Sequence, residues 1–440
     1  MKLTNLKFNS GVLKYLKNTS WLLIEKLLRI FMGLFVTIWM ARYLGPEQFG
    51  VYSYAFSFVA LFGVFSTFGV ESLINKELIN SPNKSNELLG SAFLICLFGS
   101  LLMFTLVVFS ISLIRPNNEL MLFLVVVFSS AFFFKSFEVI RYWFESHVQA
   151  KYSSIVFFIG MMTSAIVRVY LILNSAPLLY FAYVVLLESI IVAVGLVISY
   201  TLKANRILNW VFAFQKIKYL IKASAPVMLS GMVAVIFMRI DQLMLGSMLG
   251  DESVGIYAAA VRISEGWMFI PGAIAASFFP ALLNARKNQY SLYLERTQNL
   301  LSFMVIVGVL VAIVISLLAS SFITFAFGSE YDKSANVLII HVWGMVFNAV
   351  GIVSFRYFIA EGLQIYSFYR ASAGLLINIV LNYVFIPEYG VYGAAISTVI
   401  SQGIAVYVLN SVSSKTRDMF LMQTKAFTFY TAVNKLKGMR

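Results

Sequence analysis

Charged side chains stand inside the long apolar stretches of this 440-residue chain, and most of them are cations. A charge at the centre of a hydrocarbon layer costs roughly 2.5–3.5 kcal/mol, so it tends to face a protein interior or an aqueous cavity. Arginine offers a planar fork of N–H donors that matches the oxygens of a phosphate group. The pattern therefore predicts a basic lumen that suits an anionic headgroup, with the binding candidates Arg29, Arg262, Arg168, Arg239, Arg356 and Lys26.

Acidic side chains lie close to these cations, and they allow two interpretations. Asp241 and Glu265 each stand near an arginine, so both are candidates for ion or proton coupling. The alternative is local pairing, since opposite charges three or four positions apart meet on one helix face. Arg141 and Glu145 are expected near a membrane interface, where long side chains snorkel to water. Local pairing is open to Glu25 with Arg29, Lys135 with Glu138, and Arg262 with Glu265.

The elements that must hold these side chains are membrane helices. Hydrophobic residues make up 60% of the chain and charged residues 12%, whereas about a quarter of a soluble domain is charged. Apolar stretches of about 20 residues, enough to cross a ~30 Å hydrocarbon core, recur from end to end. Backbone groups must be satisfied internally there, which predicts an all-α membrane protein. We predict twelve transmembrane helices near 20–42, 50–72, 88–114, 120–142, 153–174, 178–201, 222–247, 254–281, 299–327, 335–360, 367–386 and 391–412.

Lysine and arginine residues divide unevenly between the predicted loops. With the N-terminus in the cytoplasm, 23 of the 33 basic residues fall on the cytoplasmic side, and only Arg42, Arg115 and Lys333 fall outside. Basic residues accumulate in cytoplasmic loops, so both termini and the loop 201–222 are predicted to be cytoplasmic. The net charge of +14 is then mostly a collar that faces anionic headgroups, and nucleic-acid binding is not expected.

A motif near the outer end of the first helix recurs in the second half of the chain. Residues 44–55 and 249–260 share six of twelve positions at a constant offset of 205. An even number of helices separates the copies, so the halves share one orientation, and transporters built this way bind substrate between their repeats. We predict a six-helix lobe at 1–215, a second at 216–412, a central cationic cavity between them, and a cytoplasmic amphipathic tail at 413–440.

Three motifs in order resemble one family of transporters. The segments that carry the resemblance are 41–52, 241–246 followed by 255–257, and 387–395. They are similar to the Wzx-type O-antigen and polysaccharide flippases, whose superfamily includes the multidrug and toxic-compound extruders and the lipid II flippase. The stretch Tyr257–Pro280 resembles the lipid II flippase helix that contributes a cavity arginine, which supports Arg262 as a binding residue.

The resemblance implies a multi-pass protein of the bacterial inner membrane. Its expected activity is to flip undecaprenyl-diphosphate-linked oligosaccharide from the cytoplasmic to the outer leaflet by alternating access. The expected partners are this glycan, membrane lipids, a polysaccharide polymerase and a chain-length regulator. The sugar structure, the choice between O-antigen and capsule, the coupling ion and the oligomeric state stay open.

Other functional classes fit the sequence less well. A polymerase, ligase or glycosyltransferase would need room for catalytic residues, but the predicted loops are short and contain no phosphate-binding or nucleophile motif. No enzymatic activity, catalytic residue or cofactor is therefore expected, apart from coupling to a proton or sodium gradient. His147 and His341 stand apart from each other and from cysteine, so no metal site is expected. A small-molecule or multidrug antiporter of the same superfamily is the alternative function.

Overall fold

The computed structural model describes residues 10–203 and 206–428, which are almost entirely helical and contain no β-strand. The predicted cytoplasmic positions of Lys2, Lys7, Asn205 and the end of the tail lie outside the described residues. The helices are α1 (Ser10–Thr67), α2 (Glu71–Asn80), α3 (Ser85–Ile114), α4 (Glu119–Lys135), α5 (Val139–Ser146), α6 (Ala150–Leu173), α7 (Leu178–Lys203), α8 (Phe214–Met248), α9 (Asp251–Gly266), α10 (Phe269–Asn288), α11 (Tyr290–Phe327), α12 (Asp332–Glu361), α13 (Gln364–Tyr389), α14 (Val391–Val406) and α15 (Arg417–Phe427).

Eleven segments of the described chain are long and apolar enough to cross a membrane. The first, Asn18–Asn80, has 63 residues, which is about 95 Å of helix at 1.5 Å per residue. A hydrocarbon core is about 30 Å thick, so this segment is long enough to cross twice, with a bend at Gly45. Counting it twice gives the twelve helices predicted from hydropathy, in a multi-pass all-α membrane protein.

The described chain forms two compact units whose boundaries differ from the predicted lobes. Unit 1 contains the described residues up to Met40 and Ala55–Met232, and unit 2 contains Ala41–Tyr54 and the described residues from Val233 onward. The change falls inside α8 and not at residue 215, because the first part of α8 still packs on unit 1. There the backbone of Met228 lies against Gly69.

The core of unit 1 includes large aromatic side chains of α5 and α7. The segment after α7 returns to this core, since Trp210 is buried and its Nε1 donates to the Tyr200 hydroxyl at 3.3 Å. The Ala213 N–H donates to the Ser91 hydroxyl of α3, also at 3.3 Å. The described part of the predicted linker is therefore docked on unit 1.

Helix α15, in the predicted tail, packs its apolar face on unit 2. Met419, Met422 and Ala426 are buried, and the Gln298 side chain of α11 donates to the Met422 carbonyl at 3.0 Å. An amphipathic helix is present within the predicted tail, and its apolar face is covered by other residues of unit 2. Within the described residues, the tail is part of unit 2 and not a separate element.

The two copies of the repeated motif contain the same backbone turn. Gly45 has φ 72° and ψ 169°, and Gly250 has φ 92° and ψ 174°. Glycine adopts positive φ readily, whereas a Cβ makes it costly. A helical segment follows each glycine at once, at Pro46 and at Asp251. The first outer loop, predicted between residues 42 and 50, is therefore a kink at one glycine.

The motif copies also contact each other, within unit 2. A Cβ on Gly50 would overlap the carbonyl of Asp251 and lie 2.9 Å from Gly255 N. A Cβ on Gly255 would overlap the carbonyl of Pro46 and lie 3.0 Å from Gly50 N. The two sets of contacts are equivalent, because each residue in one set has its counterpart, 205 positions away in the sequence, in the other set. The crossing of the two helical segments is therefore locally two-fold symmetric, and only glycine allows the backbones to approach so closely.

Candidate functional site

A buried carboxylate holds two arginines together in unit 1. The Glu25 side chain is only 7% exposed, and Arg29 donates to its Oε1 from Nη2 at 2.5 Å and from Nε at 3.1 Å. Arg141 Nη2 lies 3.8 Å from Oε2 of the same carboxylate. Arg141 also donates from Nε to Glu145 Oε1 at 2.8 Å. We call Glu25, Arg29, Arg141 and Glu145, with the ring of Phe157, the arginine cluster.

The ring of Phe157 lies beneath both guanidinium groups. The Arg29 and Arg141 Cζ atoms are 4.8 Å and 4.9 Å from its centroid, within the range of a cation–π interaction. The Arg141 side chain is 28% exposed and that of Arg29 is 44% exposed. The ring and the carboxylates thus fix the positions of two cations while leaving part of each arginine side chain accessible.

Several helices of unit 1 position the arginine cluster. Glu25 and Arg29 are one helical turn apart on α1, so their side chains lie on the same face. The second pair, Arg141 and Glu145, has the same spacing on α5, and Asn75 of α2 donates to Glu145 Oε2 at 3.3 Å. The local pairing of Glu25 with Arg29 is confirmed, but the sequence did not predict that Arg141 shares the same carboxylate.

The other predicted cations of unit 1 lie around or apart from this cluster. Lys135 is exposed, its Nζ lies 4.2 Å from the Phe132 ring centroid, and it interacts electrostatically with Glu138, Glu188 and Arg29. Arg168 is half-buried, and its Nε has no hydrogen-bond partner among the described residues. Lys26 is exposed on α1.

Unit 2 buries a carboxylate in a different environment. Asp241 is 5% exposed and accepts hydrogen bonds from the Tyr257 hydroxyl at 2.6 Å, from Asn382 Nδ2 at 2.6 Å and from the Thr398 hydroxyl. Asn382 Nδ2 also donates to Asn378 Oδ1 at 3.3 Å. These residues come from α8, α9, α13 and α14, and all are buried. We call these five residues the aspartate cluster.

The aspartate cluster retains polar atoms that no described residue satisfies. The Asn382 Oδ1 and Asn378 Nδ2 atoms are buried without a hydrogen-bond partner in the described chain. Unpaired buried polar groups are costly, and such atoms in native proteins often mark a place for water or an ion. Within the described residues, no group of three or more His, Cys, Asp or Glu side chains could hold a metal ion. The cluster therefore offers one carboxylate among neutral oxygen and nitrogen groups.

The remaining predicted residues lie elsewhere in unit 2. Glu265 of α9 is half-buried and interacts electrostatically with Arg239 and Arg262. Arg262 is exposed, and Arg239 is half-buried on α8. Arg356 of α12 lies with its Cζ 5.1 Å from the Phe279 ring centroid. Arg239 and Arg262 are thus close enough to Glu265 to interact with its charge, and Arg356 has an aromatic partner.

Sequence reasoning missed the polar partners of Asp241. Asn378 and Asn382 are four positions apart in the stretch 373–386 of α13, which is otherwise largely apolar, and this spacing places both amides on one face. That spacing was an available signal, because a buried amide in a membrane helix needs a polar partner. Tyr257 and Thr398 gave no such signal, since both residue types are common in packed membrane helices.

Solved transporters share the fold. The lipid II flippase MurJ in an inward closed conformation has a TM-score of 0.67 and 19% identity over 94% of this chain and 92% of its own. An inward-facing multidrug resistance transporter of the MATE family, in the MOP superfamily, has a TM-score of 0.72 and 15% identity over 92% and 95%. The predicted resemblance to this superfamily is therefore confirmed at the level of fold.

Sequence comparison gives the family. A Shigella flexneri protein named as an O-antigen transporter is 24% identical over 403 residues, which cover 87% of this chain and 93% of the relative. The family described as polysaccharide biosynthesis protein matches residues 39–336, which is more than half of the chain. This protein, with its arginine cluster in unit 1 and its aspartate cluster in unit 2, belongs to the polysaccharide biosynthesis protein family.

Proposed function

We propose that the protein flips an undecaprenyl-diphosphate-linked oligosaccharide from the cytoplasmic to the outer leaflet of a bacterial inner membrane. Its family and its similarity to a protein named as an O-antigen transporter support a role in moving a glycan. The proposed role is transport without enzymatic activity or a bound cofactor. A polymerase and a chain-length regulator are the proposed partners, because they would act on the delivered glycan.

The arginine cluster is the observation that carries this proposal. A diphosphate must cross a low-dielectric layer, and only a site with fixed cations and N–H donors can replace its water. Arg29 and Arg141 provide two partly accessible guanidinium groups beside a shared carboxylate. We extend the proposed substrate lumen to Arg262, Arg239, Arg168, Arg356 and Lys26, in a cationic cavity between the two predicted repeats.

The aspartate cluster is the proposed site of coupling to a proton or sodium gradient. Asp241 is charged in its ionised form, and the side chains that donate hydrogen bonds to it, Tyr257, Asn382 and Thr398, are all neutral. A proton or a small cation would neutralise it, and the unpartnered Asn382 Oδ1 would be a further oxygen ligand. Glu265 is the second proposed coupling residue, and it interacts electrostatically with Arg239, Arg262 and Asp241.

Alternating access is the proposed mechanism, and the crossing of the motif copies is the proposed outer contact. If lobes related by the repeat rock against each other, the segment Ala41–Tyr54 must separate from α9 when the outer side opens. Close-packed interfaces change between discrete arrangements, so the motion would have two states. Cysteines at Gln48 and Ser253 should then form a disulfide that blocks export, and reductant should reverse the block. Export that continues with the disulfide formed would contradict this step.

The proposed orientation places both termini in the cytoplasm. A cysteine at Asn83 should react with an impermeant maleimide only after the membrane is opened, whereas cysteines at Asn117 and Ser329 should react in intact cells. The background for this test is Cys96→Ser, since Cys96 is the single cysteine of the chain. Labelling of Asn83→Cys from outside would overturn the proposed orientation.

A multidrug antiporter is the second candidate, and the MATE-like fold is the observation in its favour. The two functions differ in the charge of the substrate, because a cationic drug would be repelled by accessible arginines. The deciding experiment uses purified protein in liposomes with undecaprenyl-diphosphate-linked sugar in one leaflet and an impermeant glycosidase outside. Cleavage that depends on the protein supports the flippase, whereas transport of cationic drugs without glycan movement supports the antiporter.

A further inference from the structure

We propose that Glu25 is a built-in counter-anion that makes the arginine cluster select a diphosphate over headgroups with a single negative charge. The inference rests on the proposed function, because it names the residues that select the substrate of that same site. It gives Glu25, which lies between Arg29 and Arg141, a role of its own in that site.

The geometry assigns different roles to the two arginines. Arg141 has a second carboxylate partner in Glu145, at 2.8 Å, and is the more buried of the pair. For Arg29, Glu25 is the carboxylate partner that the structure shows, and its guanidinium is the more exposed. An arriving anion would therefore meet Arg29 first and then replace Glu25 between the two guanidinium groups. Phe157 would keep both guanidinium groups in place during the exchange, which lowers the entropy lost on binding.

Charge decides which anions can make this exchange. Glu25 carries one negative charge and is tethered beside the arginines, so it competes at a high effective concentration. A phosphodiester headgroup such as phosphatidylglycerol also carries one charge, and it gains little by replacing a carboxylate that is already in place. A lipid-linked diphosphate, with or without a sugar on its second phosphate, carries at least two charges and more acceptor oxygens, so it can engage both guanidinium groups at once. Glu25 thus disfavours the abundant phospholipids, which is selection against the wrong ligand.

A second Arg–Glu pair shows that ion pairing alone does not create this arrangement. Arg286 donates to Glu361 at 2.9 Å in unit 2, where Glu361 has one arginine partner and Arg286 has no aromatic ring beneath it among the described contacts. Glu25 differs from Glu361 because it is buried and shared by two arginines above one ring. The pair in unit 2 therefore provides a matched control for the same substitution.

The test measures the affinity for undecaprenyl diphosphate in nanodiscs of phosphatidylcholine and of phosphatidylglycerol. Arg141→Ala should weaken binding in phosphatidylcholine by about 10- to 100-fold, the effect of losing a hydrogen bond to a charged group. Glu25→Gln should tighten it by about tenfold, since the internal competitor is removed. The same variant should lose this gain in phosphatidylglycerol, where the headgroup can now occupy the site. Glu361→Gln should behave like the natural protein in both lipids.

Two results would overturn the inference. One is a Glu25→Gln protein that binds the diphosphate no more tightly than the natural protein in phosphatidylcholine. The other is equal sensitivity of both proteins to phosphatidylglycerol. Either result, obtained while the natural protein binds undecaprenyl diphosphate, leaves the proposed function intact. If the natural protein binds none in phosphatidylcholine, the proposed function fails instead.

A second variant keeps the test decisive if Glu25→Gln does not fold. Arg141→Lys retains the positive charge but loses the fork of donors, so it should weaken diphosphate binding by about tenfold. Size-exclusion profile and thermal unfolding would establish that this protein is folded. Unchanged affinity in a folded Arg141→Lys protein would remove Arg141 from the site and overturn the inference.

Discussion

Unit 1 and unit 2 each bury a carboxylate in a membrane-spanning helix, but they surround it differently. Glu25 lies against two guanidinium groups, whereas Asp241 accepts hydrogen bonds from the neutral side chains of Tyr257, Asn382 and Thr398. A carboxylate among arginines can be exchanged for another anion. A carboxylate among neutral dipoles retains an unbalanced charge when ionised, and it attracts a proton or a cation. The arginine cluster and the aspartate cluster therefore suit ligands of opposite charge.

The largest expected effect follows from removing one arginine from each unit. The double variant Arg29→Ala with Arg262→Ala should reduce surface polysaccharide by about 100-fold or more, because each change removes charged hydrogen bonds to the diphosphate. Immunoblots should show a normal level of the protein in the membrane. Lysine at both positions should restore part of the export if charge alone is needed. Full export by the double alanine variant would remove the basic lumen from the mechanism.

Asp241→Asn should have the next largest effect, and it should be of a different kind. The amide keeps the size of the side chain but removes the charge, so under the proposed coupling the protein should lose its response to an ion gradient. We expect the rate in energised liposomes to fall by about 5- to 150-fold, the usual range of coupling between two sites. Movement down the glycan's own gradient should continue. A variant that still responds fully to the gradient would place the coupling elsewhere.

Tyr257→Phe should have the smallest effect of the three. It removes one of three neutral donors to Asp241 and leaves the charge in place. The ion concentration for half-maximal transport should change by roughly tenfold, consistent with the loss of one hydrogen bond to a charged group. The same substitution at Tyr293, a buried tyrosine of unit 2 outside the aspartate cluster, is the control. Equal effects of both substitutions would mean that Tyr257 acts only through packing.

The helical architecture could be predicted because a membrane imposes a length on each apolar segment. The prediction of twelve helices needed only hydropathy. The structure agrees with it, since it has eleven long spans and the first is long enough to cross the membrane twice. The pairing of Glu25 with Arg29 was also predictable, since it depends on positions within one helix. The boundary of the units was not, because it falls inside α8, which continues through it as one helix.

The two clusters could be anticipated only in part, because contacts between distant helices leave no local pattern. Arg141 was expected to snorkel at an interface, yet it shares a carboxylate with Arg29, which lies more than a hundred residues earlier. The donors to Asp241 come from three other helices, and sequence spacing carries no information on which helices meet. Charged residues within the apolar helices indicated the candidate sites, but tertiary packing determines which side chains contact them.

The crossing of the two motif copies has a consequence for how the chain can change over time. Because Gly50 and Gly255 lie against each other's backbone, a side chain acquired by either copy would be met by the other. Duplicated halves usually diverge independently, but here each copy of the motif packs directly against the other copy. A substitution at one glycine cannot be rescued by a change at the other, because glycine has no side chain that could be made smaller to relieve the clash. The sequence similarity between the two motif copies should therefore persist at this crossing after the surrounding helices have lost theirs.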